Sequence, residues 1–153
     1  MGAGLIALLA ALVVATAAGF VLRGSGRRFR RAASNDGKRG GSVLTEEDLG
    51  QPLGARATLV QFSTAFCAPC HPTRQILSQV ADTVPGVRHV DIDATSRLDL
   101  VERLRIFSTP TVLVLDQAGV IAQRASGQPR KVDVIAALGR VIQARGDSRA
   151  ESE

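Results

Sequence analysis

A chain of 153 residues with 45% hydrophobic and 22% charged residues is typical of one globular domain with a sizeable core. Two cysteines exclude a disulfide-rich scaffold, and with only two histidines the spacings exclude a four-ligand structural zinc site. Residues 23–39 hold seven basic residues and one acid, a net charge of +6, whereas the remainder, with twelve bases and thirteen acids, carries −1. This confinement of basic charge, with no Trp or Tyr, argues against nucleic-acid binding by the domain.

The N-terminal segment is apolar and has no charged side chain through Leu22. Because about 20 apolar residues cross the core of a bilayer, residues 1–22 are predicted to form one transmembrane helix. A cleaved signal peptide ending at Ala15-Thr16-Ala17 is the alternative. The apolar run continues past that site, and no basic side chain precedes it, so the uncleaved anchor is favoured.

Basic residues follow this apolar segment directly. Basic flanks of a span are retained in the cytoplasm, so we expect a single-pass protein with its domain at the cytoplasmic face; the extracytoplasmic face is the alternative. Residues 23–42, rich in Gly, Ser and Arg, predict a flexible basic linker that attracts anionic lipid headgroups. Residues 146–153 are predicted to be a polar tail, which leaves 43–145 for one compact domain.

Short apolar or alternating runs predict the strands of this domain: 57–62, 87–92, 111–115 and 120–125. Apolar residues at helical spacing predict its helices: 69–83, 96–105 and 130–144. The β-α-β-α opening predicts parallel strands joined by right-handed crossovers, and the closing hairpin predicts an antiparallel edge. The uniformly apolar strand at 111–115 is expected to be central. The sequence therefore predicts an α/β fold with a mixed central sheet flanked by helices.

Three short-range patterns add detail to these elements. Thr45–Asp48 has the signature of a helix start, which Gly50 ends within two turns. Ser96 is expected to cap the helix at 96–105. One face of that helix is expected to carry Leu98, Val101 and Leu104. The last helix is expected to turn five apolar residues inward: Val132, Ile135, Leu138, Val141 and Ile142.

The segment Cys67-Ala68-Pro69-Cys70 lies where the first predicted strand meets its helix. A helix N-terminus carries partial positive charge and exposed N–H groups, which favour the thiolate form of cysteine. Two intervening residues in a helical turn bring the sulfurs close enough to bond. Cys67, at the exposed start, is expected to attack a substrate disulfide, and the shielded Cys70 is expected to resolve the mixed disulfide. Pro69 stiffens this turn.

The segment Thr58–Cys70, TLVQFSTAFCAPC, resembles the active-site strand and turn of the thioredoxin family. Val90–Asp93 is similar to the family's next strand, and Phe107–Thr111, FSTPT, resembles its cis-proline segment. Gly119 and Gly127 fall where the family has glycines, so the resemblance covers about 43–145. It implies a thioredoxin-like fold and a thiol–disulfide oxidoreductase acting on protein disulfides, as a reductase if the domain is cytoplasmic. The exchange needs no cofactor or metal, but it needs an electron donor that the sequence does not identify.

The resemblance also implies a substrate-binding surface. Pro110 would be cis and would bring the Thr109 backbone beside the disulfide, where it could hydrogen-bond an extended substrate. The side chains next to the cysteines, Phe66, Ala68 and Pro69, would complete that surface.

The chain departs from the family pattern at several positions. Phe66 replaces a usual Trp, and Ala68-Pro69 replaces Gly-Pro. Gln61 replaces the buried acid that relays the proton of the second thiol, and His89 replaces a nearby lysine and could take part of its role.

The neighbouring His71 would stabilise the Cys67 thiolate when cationic. Cys67–His71 also matches the attachment pattern of c-type haem. Two alternatives therefore accompany the oxidoreductase: a non-catalytic tethering module of the same fold, and a haem protein that uses CAPCH.

Overall fold

The computed structural model describes residues 29–31 and 43–150, with side chains placed for Phe29 and for 43–144. The predicted anchor at 1–22 lies outside these residues, as do most of the predicted linker and residues 151–153. Among the residues described, no helix combines the length and apolarity that crossing a bilayer requires.

Strands and helices alternate through the described domain. The strands are β1 (Arg30–Arg31), β2 (Ala57–Ser63), β3 (Val87–Asp93), β4 (Thr111–Asp116) and β5 (Ile121–Ser126). The helices are α1 (Glu46–Leu49), α2 (Cys70–Thr83), α3 (Leu98–Arg103) and α4 (Lys131–Ala150). Each element predicted between 43 and 145 is present. Helix α4 continues to Ala150, so residues 146–150, predicted as tail, are helical.

The strands form one mixed sheet in the order β1-β5-β4-β2-β3, with β4 at its centre as predicted. Strands β2 and β3 are parallel and joined through α2, whereas β4 runs antiparallel to both β2 and β5. The predicted parallel opening is thus confined to β2-α2-β3. The end of β2 that leads to the cysteines lies beside the start of β4, because Phe62 pairs with Thr111.

Alternation along the central strands produces two hydrophobic cores, one on each face of the sheet. Along β2, Leu59 points to the face covered by α2 and α4, and Val60 and Phe62 point to the face covered by α1 and α3. Strand β4 alternates in the same way. The sheet is therefore covered on both faces, which explains why β2 and β4 are buried along their whole length.

Three apolar residues predicted on inward helix faces are exposed instead. Leu98 is 63% exposed, because the chain at α3 turns Leu100 and Leu104 inward instead. Ser96 does not cap α3 as predicted, since its hydroxyl donates to the Asp93 carbonyl. In α4, Val132 and Ile135 are 63% and 48% exposed. The buried positions there follow the spacing i, i+3, i+4 and i+7: Val134, Ala137, Leu138 and Val141. The predicted Leu138, Val141 and Ile142 do pack into the core, whereas Val132 and Ile135 do not, because Val134 and the small Ala137 take the inward positions of the first turns.

Part of the predicted linker belongs to the fold. Arg30 and Arg31 pair with β5 in antiparallel register, and Phe29 packs against the core on the α2 and α4 face. Val43 forms an antiparallel bridge with Val120, just before the start of β5. The first described segment therefore runs along the β5 edge of the sheet.

Candidate active site

The two cysteines are bonded to each other at the junction of β2 and α2. Their sulfurs are 2.06 Å apart and their Cα atoms 5.3 Å apart. The Cys67 amide donates to the Thr64 carbonyl, and the Cys70 amide donates to the Cys67 carbonyl, so the chain turns tightly into the helix. Helix α2 begins at Cys70, one residue after the predicted start at 69, and the carbonyl of Pro69 accepts hydrogen bonds from the backbone and hydroxyl of Thr73.

The two sulfur-bearing residues differ in accessibility as predicted. Cys70 is only 3% exposed, whereas Cys67 is half-buried and faces solvent with its exposed neighbours Ala68 and Pro69. The positive end of the α2 dipole lies beside them and favours an anionic sulfur. This arrangement supports attack by an approaching thiol or disulfide at Cys67, with Cys70 reacting from inside.

A second loop, residues 104–110, borders the disulfide from the start of β4. The Thr109–Pro110 peptide bond is cis, as the family resemblance implied. The Thr64 and Thr109 hydroxyls are 3.4 Å apart and join this loop to the cysteine loop. Within the described part of the chain, neither the amide nor the carbonyl of Thr109 is hydrogen-bonded to another residue. Both remain available to an extended substrate segment.

Two phenylalanines extend from these loops into solvent. Phe66, immediately before Cys67, is 101% exposed, and Phe107, two residues before Thr109, is 90% exposed. Burying a large aromatic side chain is favourable, so two fully exposed rings beside a reactive group are typical of a contact surface. Phe66 was predicted in this role. Phe107 was not, although it is the first residue of the predicted cis-proline segment.

Beneath the disulfide lies Gln61, which is completely buried on the α2 face of β2. Its Nε2 donates to the Cys70 carbonyl at 3.0 Å. Its Oε1 has no hydrogen-bond partner among the described residues. A neutral amide with one unused acceptor therefore lies directly under the helix turn that carries Cys70.

A carboxylate lies next to Gln61 in the sheet, because Gln61 pairs with Asp91 of β3. Asp91 accepts the Ser63 hydroxyl at 2.8 Å and forms an ion pair with Arg74 of α2. Sequence reasoning missed this network, since Ser63, Arg74 and Asp91 come from three separate elements. It fastens the first turns of α2 to the sheet.

The two histidines lie in different surroundings, one exposed on α2 and one half-buried on β3. His71 is exposed, and its Nε2 lies 3.2 Å from the Gln75 amide one turn along α2. His89 is half-buried, with its Nδ1 3.1 Å from the Ser78 hydroxyl, and burial lowers its pKa, against the opposing effect of Asp91. His89 pairs with Leu59, four residues before the end of β2, which places it about 13 Å from that end of the sheet. The structure therefore does not bring His89 to the sulfurs.

A model of the thioredoxin family matches residues 42–140, most of the chain. The chain belongs to the thioredoxin family. It is 32% identical over 73 residues to thioredoxin C-2 of Corynebacterium nephridii, covering 47% of this chain and 68% of that protein. It is 30% identical over 77 residues to the thioredoxin of Mycoplasma genitalium, covering 50% and 74%.

Solved thioredoxins share the fold. Chloroplastic thioredoxin z is 29% identical, with a TM-score of 0.52 over 57% of this chain and 79% of that one. The Fasciola hepatica thioredoxin is 20% identical, with a TM-score of 0.51 over 57% and 82%. Family membership and the Cys67–Cys70 disulfide together make this thioredoxin-like protein a thiol–disulfide oxidoreductase, and its fold implies protein disulfides as substrates.

Proposed function

We propose that this thioredoxin-like protein is a membrane-tethered disulfide reductase with its domain at the cytoplasmic face. The observation that carries the redox role is the pair formed by a half-buried Cys67 and a buried Cys70 at the N-terminus of α2. The tether rests on the apolar, uncharged residues 1–22, and the cytoplasmic placement rests on the arginines that follow them. A reductase suits a compartment that keeps thiols reduced.

In this role the reduced protein acts in two steps that conserve electrons. The Cys67 thiolate attacks a sulfur of the substrate disulfide, forms a mixed disulfide and releases the first substrate thiolate. The Cys70 thiolate then attacks the Cys67 sulfur, releases the second substrate thiolate and leaves the disulfide seen here. Two electrons pass to the substrate, solvent protonates the released thiolates, and a separate donor restores the dithiol.

The test uses the full chain in detergent, with insulin as the protein disulfide and dithiothreitol as donor. The Cys67→Ser variant should lose reductase activity, whereas Cys70→Ser should accumulate a mixed disulfide with insulin. Thr73→Val, which alters the same helical turn but neither sulfur, is the matched control and should retain activity. Full activity of Cys67→Ser would contradict the mechanism, whereas absence of reductase activity in the unsubstituted chain would leave the non-catalytic tethering module.

The direction of electron flow has its own measurement. A reduction potential near about −270 mV in glutathione or dithiothreitol buffers supports a reductase, whereas a value near about −120 mV indicates an oxidant. The membrane face is measured in intact cells that express the full chain, by labelling a single cysteine introduced at Ala118 with a membrane-impermeant thiol reagent. Labelling without cell rupture would place the domain outside.

A further inference from the structure

Loop 104–110, which borders the disulfide, is bound at both of its ends by the last part of β5. At its second end the carbonyl of Pro110 accepts the amide of Gly127, just after β5, at 2.7 Å. At its first end the carbonyl of Leu104 accepts a hydrogen bond from the guanidinium of Arg124, a residue of β5 itself. One edge of the sheet therefore holds both ends of the loop that a substrate would meet.

Arg124 lies on the face of the sheet that α3 covers. It pairs with Leu113 of β4, whose side chain belongs to the core on that face, and paired residues of adjacent strands point to the same face. Helix α3 ends at Leu104, so the carbonyl of Leu104 is one of those that the helix leaves without a partner. An arginine that donates to such a carbonyl is favourable there. Arg124 thus caps α3 at the point where the loop begins.

The position of Arg124 would be costly without this contact. Its side chain is half-buried, and burial lowers its pKa. None of the ion pairs among the described residues includes it. A partly buried charge without an acidic partner loses hydration, so an apolar side chain would be less costly at this position. The hydrogen bond to Leu104 is what Arg124 supplies that an apolar side chain could not.

The residue that follows this contact is strained. Arg105 has φ +51°, in the left-handed region, which is unfavourable for a residue with a Cβ. Such a conformation persists only where the surrounding structure enforces it. The peptide group before Arg105 is held at the Leu104 carbonyl by Arg124, and the peptide group after it is held at the Ile106 amide by the Val101 carbonyl, at 2.9 Å. These two contacts together determine the conformation of Arg105.

We infer that Arg124 is a positioning residue for disulfide exchange with protein substrates. Through the Leu104 carbonyl it keeps Arg105 in its strained conformation. It thereby fixes the course of the rest of the loop, which presents the exposed Phe107 ring and the Thr109 backbone beside the disulfide. The effect is on substrate binding, because the two sulfurs belong to the other loop. The kinetic part of this inference rests on the proposed reductase activity.

The position of the loop is tested without an assay of activity. A fluorinated phenylalanine at Phe107, in the full chain in detergent, should give one fluorine resonance. Arg124→Met should shift this resonance or add a second one, whereas Arg124→Lys keeps a charged donor and should retain the wild-type spectrum. Arg97→Met is the matched control, because Arg97 also donates to a backbone carbonyl but lies at the other end of α3. An unchanged spectrum in Arg124→Met would overturn the inference.

The strained residue provides a second test. Glycine adopts the left-handed conformation readily, so Arg105→Gly should remove the need for Arg124 to enforce it. Adding Arg105→Gly to Arg124→Met should therefore restore the wild-type fluorine resonance. Failure of this double variant to restore the resonance would refute the link from Arg124 through Arg105 to the loop.

Kinetics with insulin test the consequence for exchange. Arg124→Met should raise KM for insulin several-fold and leave kcat, the reduction potential and the reduction of a small disulfide unchanged; Arg97→Met should leave KM unchanged as well. A fall in kcat without a change in KM, or an equal loss with the small disulfide, would refute a positioning role. If the unsubstituted chain does not reduce insulin, the proposed reductase is wrong, whereas the fluorine spectra still decide whether Arg124 holds the loop.

Discussion

Replacing Gln61 by leucine should make the protein a stronger reductant. Gln61 binds the carbonyl of Cys70, and its Oε1 is buried without a partner among the described residues while the disulfide is formed. Reduction creates a new donor, the Cys70 thiol, on the residue that Gln61 already contacts. We expect Oε1 to accept that thiol, which stabilises the reduced form relative to the oxidised form.

The expected size of the change follows from the net free energy that one hydrogen bond contributes to stability, about 1 kcal/mol. For a two-electron couple this corresponds to about 20 mV, or about a fivefold change in the equilibrium constant with glutathione. The Gln61→Leu variant should therefore have a potential lower by about 20 mV, measured by thiol alkylation in graded glutathione buffers. Thr73→Val removes a neighbouring buried hydroxyl in the same helical turn and should leave the potential unchanged.

A spectroscopic readout separates this role from a purely structural one. In reduced protein the infrared S–H stretch of Cys70 should move to higher frequency in Gln61→Leu, because the thiol loses its acceptor. Gln61→Glu introduces a carboxyl whose pKa is raised by burial. The rate of Cys70 alkylation should then change with pH as this carboxyl ionises, a dependence that the wild-type amide cannot produce. An unchanged potential together with an unchanged S–H band in Gln61→Leu would refute the reasoning.

Three further predictions concern the two exposed phenylalanines, the half-buried His89 and the turn at Gly119. Phe66→Ser and Phe107→Ser should each change the free energy of unfolding by less than about 0.5 kcal/mol yet raise KM for insulin several-fold, with reduction of a small disulfide as the control. Because burial lowers the pKa of His89, the unfolded state binds a proton first as pH falls below about 6.5. Urea unfolding should therefore show lower stability at pH 5.5 than at 7.5, and His89→Asn should reduce this difference. Gly119 has φ +79°, and an added Cβ would lie 2.1 Å from a backbone oxygen, so Gly119→Ala should destabilise by more than about 1 kcal/mol, whereas Gly139→Ala, with no close neighbour, should not.

Local patterns in the sequence predicted the elements well because their causes are local. Short runs of apolar, β-branched residues identified the strands, and the cysteine segment needs only a strand before it and a helix after it. The inward face of α4 was predicted less well. Val132 and Ile135 are large and apolar but exposed, since the helix approaches the sheet through Ala137. Which stripe faces the core depends on how closely two elements pack, and residue size alone does not determine that.

The contacts that support the site are long-range, and this is why sequence reasoning missed them. Asp91 is positioned by the register of two parallel strands, and its partners Ser63 and Arg74 are 28 and 17 residues away. The pairing of Arg30 and Arg31 with β5 is also long-range, and it moved part of a predicted linker into the sheet. The composition of residues 23–42, rich in Gly, Ser and Arg, predicted a flexible linker, but it could not show that two of these residues would pair with the exposed edge of the sheet.

The charged groups near the disulfide determine which ionisations can affect the reactivity of Cys67. Among the described residues Asp116 is the only charged side chain that is buried, and it is the last residue of β4, at the opposite end of the sheet from the cysteines. The carboxylate nearest to Gln61, Asp91, is already bound by an arginine and a hydroxyl. The interior beneath the disulfide is therefore neutral, and the favourable field at Cys67 comes mainly from the N-terminus of α2. Rate control by pH in the wild-type protein should then reflect the two thiols themselves, since Gln61, the buried side chain that contacts Cys70 from the sheet, is a neutral amide and cannot take its proton.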